Sequence, residues 1–572
     1  MTRIKTGAVI AVAAILFAAC QGTATTPSPT TAPTTAPSAA SSAPSAPPPS
    51  AAVKTGGTLV VGLEGDINRT DSSLVDDLNS TYVLQQIMET LVTLKPGTGD
   101  QIIPSLAKSW DISSDGLTYT FHLQQGVKFH DGTDFNADAV KFNFDRWLNI
   151  PKSYIDLGYT YYIDTVIGHG SSSFVASTAA PDPATFVVTL RQPNSAFLVQ
   201  MTLTPFAIAS PKALQDGNAS APDFKDNKYA TGGPPAAVGT GPFMFKEWVP
   251  GDHVTVVKNP SYWNAAAGGP YLDAVTFKPY PDTTARLNAI QSKDIDLAET
   301  MAPTDMATVT SDPKLVAIDR GSACNVGVIG MNQTHKPFDN LKIRQAVATA
   351  VNRKAIVDAF FGGSGIVVNN WTPPGSPFAK DLTLPAYDPA AAKQLIADSG
   401  VTDLSFDFWY PSNVARAYMP DPKSEFEAIL RDLEAVGFKP NPKTAPWRPD
   451  YLAAESTGKY PMWLIGWNCD WFGIDNFLFT ADFGYRGDPL GPNPEFAYKN
   501  DAMNQAMVDA LKATDEATQR TNWEKAQDLI VADMPSVPIV SAKTPAAMQT
   551  YVKGFVPGPT LLEMFTDTWL DK

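Results

Sequence analysis

Five histidines, His122, His130, His169, His253 and His335, are the side chains of this 572-residue chain best suited to metal ligation or proton transfer. They are scattered, and neither His-Glu-x-x-His nor Cys-x-x-Cys occurs, so the sequence offers no built-in zinc centre. Gly239-Thr240-Gly241-Pro242 lacks the Lys-Ser/Thr of a phosphate loop and reads instead as a tight entry into a strand. Gly362-Gly363-Ser364-Gly365 runs into Ile366 and misses the nucleophile-elbow pattern. Among 58 acidic residues, no carboxylate pair is singled out for glycoside hydrolysis. Outside the cytoplasm Cys324 and Cys469 could pair, or stay as two buried thiols, and their spacing leaves both open. An enzyme is the weaker reading, and no cofactor is implied.

Composition narrows the partners. A net charge of −15 leaves no basic surplus to neutralise phosphates, which argues against nucleic acid and against a polybasic membrane face. Aromatics at 10% and recurring apolar runs exclude wholesale disorder, and the length allows about three domains at roughly 100–200 residues each.

Residues 1–20 read as a secretory signal. Arg3 and Lys5 precede an uncharged, largely apolar run from Thr6 to Ala19, shorter than the about 20 residues that a spanning helix needs. It ends in Leu16-Phe17-Ala18-Ala19-Cys20, which resembles a bacterial lipobox and implies lipidation of Cys20, although Phe17 stands where the pattern favours Leu. The plainer alternative is ordinary cleavage and release. Residues 21–55 are expected to form a disordered tether, because every residue from Thr23 to Ala52 is Ala, Pro, Ser or Thr.

The body alternates strands and helices, which predicts an α/β fold with mixed sheets. Thr58–Leu63 reads as a strand, and Leu117, Tyr119, Phe121 and Leu123 alternate with polar residues as a half-buried strand does. Asn136 is placed to cap a helix that carries Val140, Phe144 and Trp147 on one face. Phe243 to Val257 reads as a hairpin turning at Pro250-Gly251-Asp252. Phe426, Ile429, Leu430 and Leu433 share a helical face that Gly437 would end. Met462 to Trp467 is a continuous apolar run, as expected of a strand covered on both sides.

Several blocks resemble the bacterial extracellular solute-binding proteins of family five, the dipeptide- and oligopeptide-binding components of ABC importers. They include Leu106 to Leu123, Gly126 to Thr133, Gly239 to Phe245 with Asn259-Pro-Ser-Tyr-Trp263, Ile343-Arg-Gln-Ala346, Asn352 to Ile356, and Val552-Lys-Gly-Phe555. The resemblance implies a periplasmic-binding-protein-like fold (type II, cluster C), with two hinged lobes and a small extra domain. Mapped here, the first lobe takes 56–90, 226–312 and 526–572, the extra domain 91–225, and the second lobe 313–525.

Within that resemblance, Arg416-Ala-Tyr418-Met-Pro420 is similar to a segment whose Arg pairs with a peptide's carboxylate. Gly466-Trp-Asn-Cys-Asp470 is similar to one whose Asp pairs with the α-amine. The residue types suit these roles, since a guanidinium offers a planar fork to a carboxylate, and an aspartate accepts charge-assisted bonds from an ammonium. Tyr418, Trp467, Trp471 and Trp371 are candidate pocket-lining aromatics. Cys469 stands where dipeptide binders typically carry glycine.

The resemblance therefore implies a monomeric, lipid-anchored receptor on the outer face of the cytoplasmic membrane, or in the periplasm. It would deliver short peptides, dipeptides foremost, to a permease served by separate cytoplasmic ATPases. Alternatives are an oligosaccharide or other small solute in the same fold, and a peptide sensor without transport. A nickel chelate is disfavoured, because no histidine follows His335.

Overall fold

The computed structural model describes residues 52–170, 173–487, 489–560 and 562–572. The signal segment, Cys20 and nearly all of the tether lie outside the described residues.

Thr58–Leu63 begins a seven-stranded sheet because Leu59, Val61 and Leu63 are all buried on it. It runs parallel to Ala274–Pro279 on one side and to Leu297–Ala298 on the other. The sheet order is 315–317, 547–549, 297–298, 58–63, 274–279, 253–258, 243–249. Phe243–Val249 and His253–Lys258 pair antiparallel, as the hairpin reading expects. The glycines before this hairpin serve close approach: a Cβ on Gly241 would stand 2.7 Å from the Ile87 carbonyl oxygen, and the Gly241 N–H donates to that same oxygen at 3.0 Å.

A second, six-stranded sheet is ordered 365–367, 536–542, 325–331, 462–468, 405–412, 439–446. Asn325–Met331 and Ser536–Ala542 are buried along their whole length. Met462–Asn468 lies between 325–331 and 405–412, which is why its sequence is apolar without alternation. The helix Pro422–Val436 covers this sheet with Phe426, Ile429 and Leu433 buried; Asp421 caps its start, and Gly437, at φ 109°, ends it. A four-stranded antiparallel sheet, 107–112, 118–123, 185–190 and 175–182, carries the helix Ala137–Leu148. Asn136 caps that helix, and Val140, Phe144 and Trp147 are buried in the cluster beneath it.

Two strand assignments differ from the segment boundaries expected from sequence. Ser536–Ala542, placed there in the first lobe with 526–572, pairs with 325–331 and 365–367 in the six-stranded sheet. Being apolar on both faces, it needs an interior position. Leu315–Ala317, placed in the second lobe, pairs with Ala547–Gln549 in the seven-stranded sheet. The chain consequently passes between the two large sheets at 318–324 and again at 543–546.

Arg320 ties these two connections together. Its guanidinium, almost fully buried, donates to the carbonyls of Thr544 at 3.0 Å and Glu299 at 3.1 Å and pairs with Glu563 at 2.7 Å.

Candidate functional site

A cavity of about 1020 Å³ is lined by residues of all three sheet systems, including Glu64, Tyr162, Arg416, Tyr418 and Asp470. Its size is at the upper end of the roughly 300–1,000 Å³ usual for small-ligand sites.

Asp470 stands two residues past the strand Met462–Asn468 and is half-buried. Its Oδ1 accepts from the Tyr162 hydroxyl at 2.8 Å, and Oδ2 accepts from Tyr161 and from Asn476 Nδ2, each at 3.2 Å. The Asp470 N–H in turn donates to Asn476 Oδ1 at 3.0 Å, and the Trp467 indole donates to that same oxygen at 3.0 Å. Asn476 thus fixes both the backbone and the carboxylate of Asp470. Burial pushes the Asp470 carboxyl up to about 6, against the pull of its three donors. A carboxylate offers about four acceptor positions. With three taken, one remains for a ligand donor.

Arg416 lies in a tight loop closed by two backbone bonds with Met419, at 3.0 and 2.9 Å. Its guanidinium sits over the Trp447 ring at 5.4 Å and 3.5 Å from the Glu64 carboxylate, just past the first strand. That pair is partly exposed and long, so it is worth at most about 1 kcal/mol. Arg416 and Asp470, 54 positions apart in the sequence, line one cavity, as the sequence reading requires.

The aromatic candidates separate. Trp467 is half-buried on the wall, its ring 6.5 Å from Tyr161. Tyr418 lies flat on the six-stranded sheet, 4% exposed, where glycine permits its approach. A Cβ on Gly466 would stand 2.5 Å from Tyr418 Cδ2, and one on Gly327 would stand 2.7 Å from the Tyr418 carbonyl oxygen. Burial pushes the Tyr418 phenol up to about 12. Trp371 reaches the lining but is fully buried, and its indole donates to Ser536 Oγ at 2.7 Å. Trp471 does not line the cavity. It points into the core beneath the four-stranded sheet, and its indole donates to Asp475 Oδ2 at 2.8 Å.

Cys324 and Cys469 form a disulfide with Cα atoms 5.4 Å apart, and the Cys469 N–H donates to the Cys324 carbonyl at 2.8 Å. The bridge ties the start of Asn325–Met331 to the residue preceding Asp470. Tyr161, Tyr162, Glu64 and Asn476 were absent from the sequence-derived site. The aromatic run Tyr159-Thr-Tyr-Tyr162 was a visible signal for the tyrosines, and Asn476 lies in the Asp475-Asn-Phe477 segment that follows the Gly466 to Asp470 motif.

Comparison with known proteins gives a consistent answer. Residues 101–488 match the family model described as bacterial extracellular solute-binding proteins, family 5 middle. The chain is 31% identical over 498 residues to heme-binding protein A of Haemophilus influenzae, covering 85% of this chain and 87% of that protein. It is 30% identical over 487 residues to di/tripeptide-binding protein 1 of Pseudomonas aeruginosa, covering 83% and 87%. Among solved structures it superposes with a TM-score of 0.75 on the ABC transporter-associated periplasmic binding protein DppA of Helicobacter pylori, in complex with the peptide STSA. That match has 27% identity and covers 91% of this chain and 99% of the other. The chain belongs to the bacterial extracellular solute-binding proteins of family 5.

Proposed function

We propose that this protein captures short peptides, dipeptides foremost, in the cavity and delivers them to the permease of an ABC importer. The observation that carries this is the presence of a guanidinium and a carboxylate, Arg416 and Asp470, in the lining of one cavity. Asp470 would take the α-ammonium at its remaining acceptor position. Arg416 would exchange its weak partner Glu64 for the peptide carboxylate, a bidentate match at small cost. Fixing both ends of a zwitterion measures its length, while a wide cavity leaves the side chains unconstrained.

The energetics favour closure around the ligand. Micromolar affinity needs about −8 kcal/mol. A dipeptide of roughly ten heavy atoms, at no more than about −1.5 kcal/mol each, must realise more than half of that ceiling, which an open groove does not supply. In our reading the two large sheets mark two lobes, the four-stranded sheet an extra domain, and 318–324 with 543–546 the hinge. Cys20 would anchor the protein, as a monomer, outside the cytoplasmic membrane. The chain performs no chemical step; ATP is used by separate subunits.

Calorimetry on the ligand-stripped protein tests the reading, with Ala-Ala, its N-acetyl and amide derivatives, tri-alanine and cellobiose as titrants. Binding of free Ala-Ala that either blocked terminus abolishes is the expected result. Cellobiose binding without peptide binding would overturn it in favour of a sugar ligand.

A further inference from the structure

The disulfide between Cys324 and Cys469 stands where the cavity meets a connection between the two large sheets. Cys469 lines the cavity and immediately precedes Asp470, and Cys324 ends the connection 318–324. Strand pairing stops at Asn468, opposite Asn325. Beyond it, two links hold the chain to Cys324: the bridge itself and the bond from the Cys469 N–H to the Cys324 carbonyl at 2.8 Å. On its other side Asn325 clasps Ala542, with Nδ2 donating to the carbonyl at 2.7 Å and Oδ1 accepting from the N–H at 3.0 Å. Ala542 leads into the connection 543–546, so both connections leave the six-stranded sheet beside the bridge.

Packing does not duplicate this covalent tie. Both cysteines, with Arg320, Asn325, Thr544 and Thr560, border a separate void of about 20 Å³. A void of that size has room for about one water and leaves the sulfurs space to part. Cys324 is almost wholly buried, whereas Cys469 is partly exposed on the cavity wall. Asp470 depends on this backbone. Its carboxylate meets the hydroxyls of Tyr161 and Tyr162, which come from a distant part of the chain, and hydrogen bonds weaken steeply with misalignment.

We propose that Cys324 and Cys469 are positioning residues for ligand capture, whose bridge holds Asp470 in place and whose reduction weakens binding. This rests on the reading of Asp470 as the amine acceptor and deepens it. The chemistry is a plain exchange with a dithiol. The S–S bond breaks, both cysteines take up a proton and become thiols, and the dithiol, oxidised by two electrons, closes into a cyclic disulfide. Coupling runs both ways: a bound ligand must protect the bridge from reduction by the same factor by which reduction lowers its affinity.

The test is calorimetry with Ala-Ala on the full chain, oxidised, reduced with dithiothreitol, and reoxidised, beside a Cys324→Ser, Cys469→Ser double variant. Thermal unfolding confirms that each form is folded at the titration temperature. The reduced protein and the double variant should bind at least fivefold more weakly, and reoxidation should restore affinity in the wild type. In a dithiothreitol redox buffer, saturating Ala-Ala should raise the ratio of bridged to open protein at least fivefold, read by thiol alkylation. In Asp470→Asn, reduction should change the affinity less than twofold, because the group being positioned is gone. Affinities within twofold for the oxidised and reduced wild type would overturn the inference and leave peptide capture standing, with the bridge serving stability alone. An equal loss on reduction in Asp470→Asn would overturn positioning through Asp470. No Ala-Ala binding by the oxidised protein would overturn the peptide reading and this inference with it.

Discussion

The Tyr162 hydroxyl donates to Asp470 Oδ1 at 2.8 Å across 308 positions of sequence. The proposed amine acceptor is therefore held by a different part of the fold from the one that carries it. Removing this donor with Tyr162→Phe leaves the carboxylate less stabilised when charged. A hydrogen bond to a charged group is worth about 1.5–3 kcal/mol. We predict at least tenfold weaker Ala-Ala binding at pH 7 in calorimetry; unchanged affinity would contradict the role.

Asp470 also sets a pH dependence. Its carboxyl titrates at about 6 and must be ionised to hold an ammonium. Affinity should therefore be nearly constant above pH 7 and fall about tenfold per pH unit below 6. Asp470→Asn should bind weakly and lose that dependence. Titrations from pH 5 to 8 check both.

Arg416 and Glu64 predict opposite effects. Arg416→Ala should cost free Ala-Ala about 2–5 kcal/mol, bringing it down to the level of the amide. Glu64→Gln releases the guanidinium from a competitor and should tighten binding, by no more than about fivefold for a pair this exposed. Weaker binding in Glu64→Gln would show that Glu64 orients Arg416 rather than competes for it.

Gly466→Ala tests the packing beneath the site. The added methyl would meet Tyr418 and the Val326 carbonyl, each at 2.5 Å, and overpacking of this kind costs about 1–3 kcal/mol. Thermal unfolding should shift downward, and peptide affinity should fall as the Arg416 loop moves with Tyr418.

Global stability should decline toward alkaline pH. Burial raises Glu89 and Glu299 to about 7, Glu425 to about 8, and Asp470 and Asp475 to about 6. The same groups in the unfolded chain titrate near 4, so the folded state binds more protons in between. Their contribution is complete below about pH 4 and is lost as pH rises through 6 to 8. Ligand-free melting midpoints should be several degrees lower at pH 8 than at pH 5.5; the reverse order would refute this.

Much of the fold was legible because its signals are local. The alternation of Leu117 to Leu123, the Asn136 cap and the Gly437 stop each act within one turn or strand. That Arg416 and Asp470 line one cavity was foreshadowed by two short motifs. Tyr161 and Tyr162 were not, since their role is set by a contact some 300 positions away. Trp471 misled for the opposite reason: it adjoins Asp470 in sequence, but the turn after the strand sends it into another core. Ser536–Ala542 was grouped with the first-lobe segments, whereas it pairs in the six-stranded sheet, because strand character does not name a partner.

The grip of Arg320 on both connections has a mechanical consequence. One guanidinium holds the carbonyl of Thr544 while its own backbone belongs to the other crossing, so the two crossings are linked by a buried side chain as well as by the sheets. The same guanidinium pairs with Glu563, which also accepts from Tyr82, so this joint is anchored to the side of the seven-stranded sheet. If the proposed lobes open about these crossings, the shared guanidinium would make both turn together, and spin labels at two pairs of points across the opening should report distances that change in lockstep.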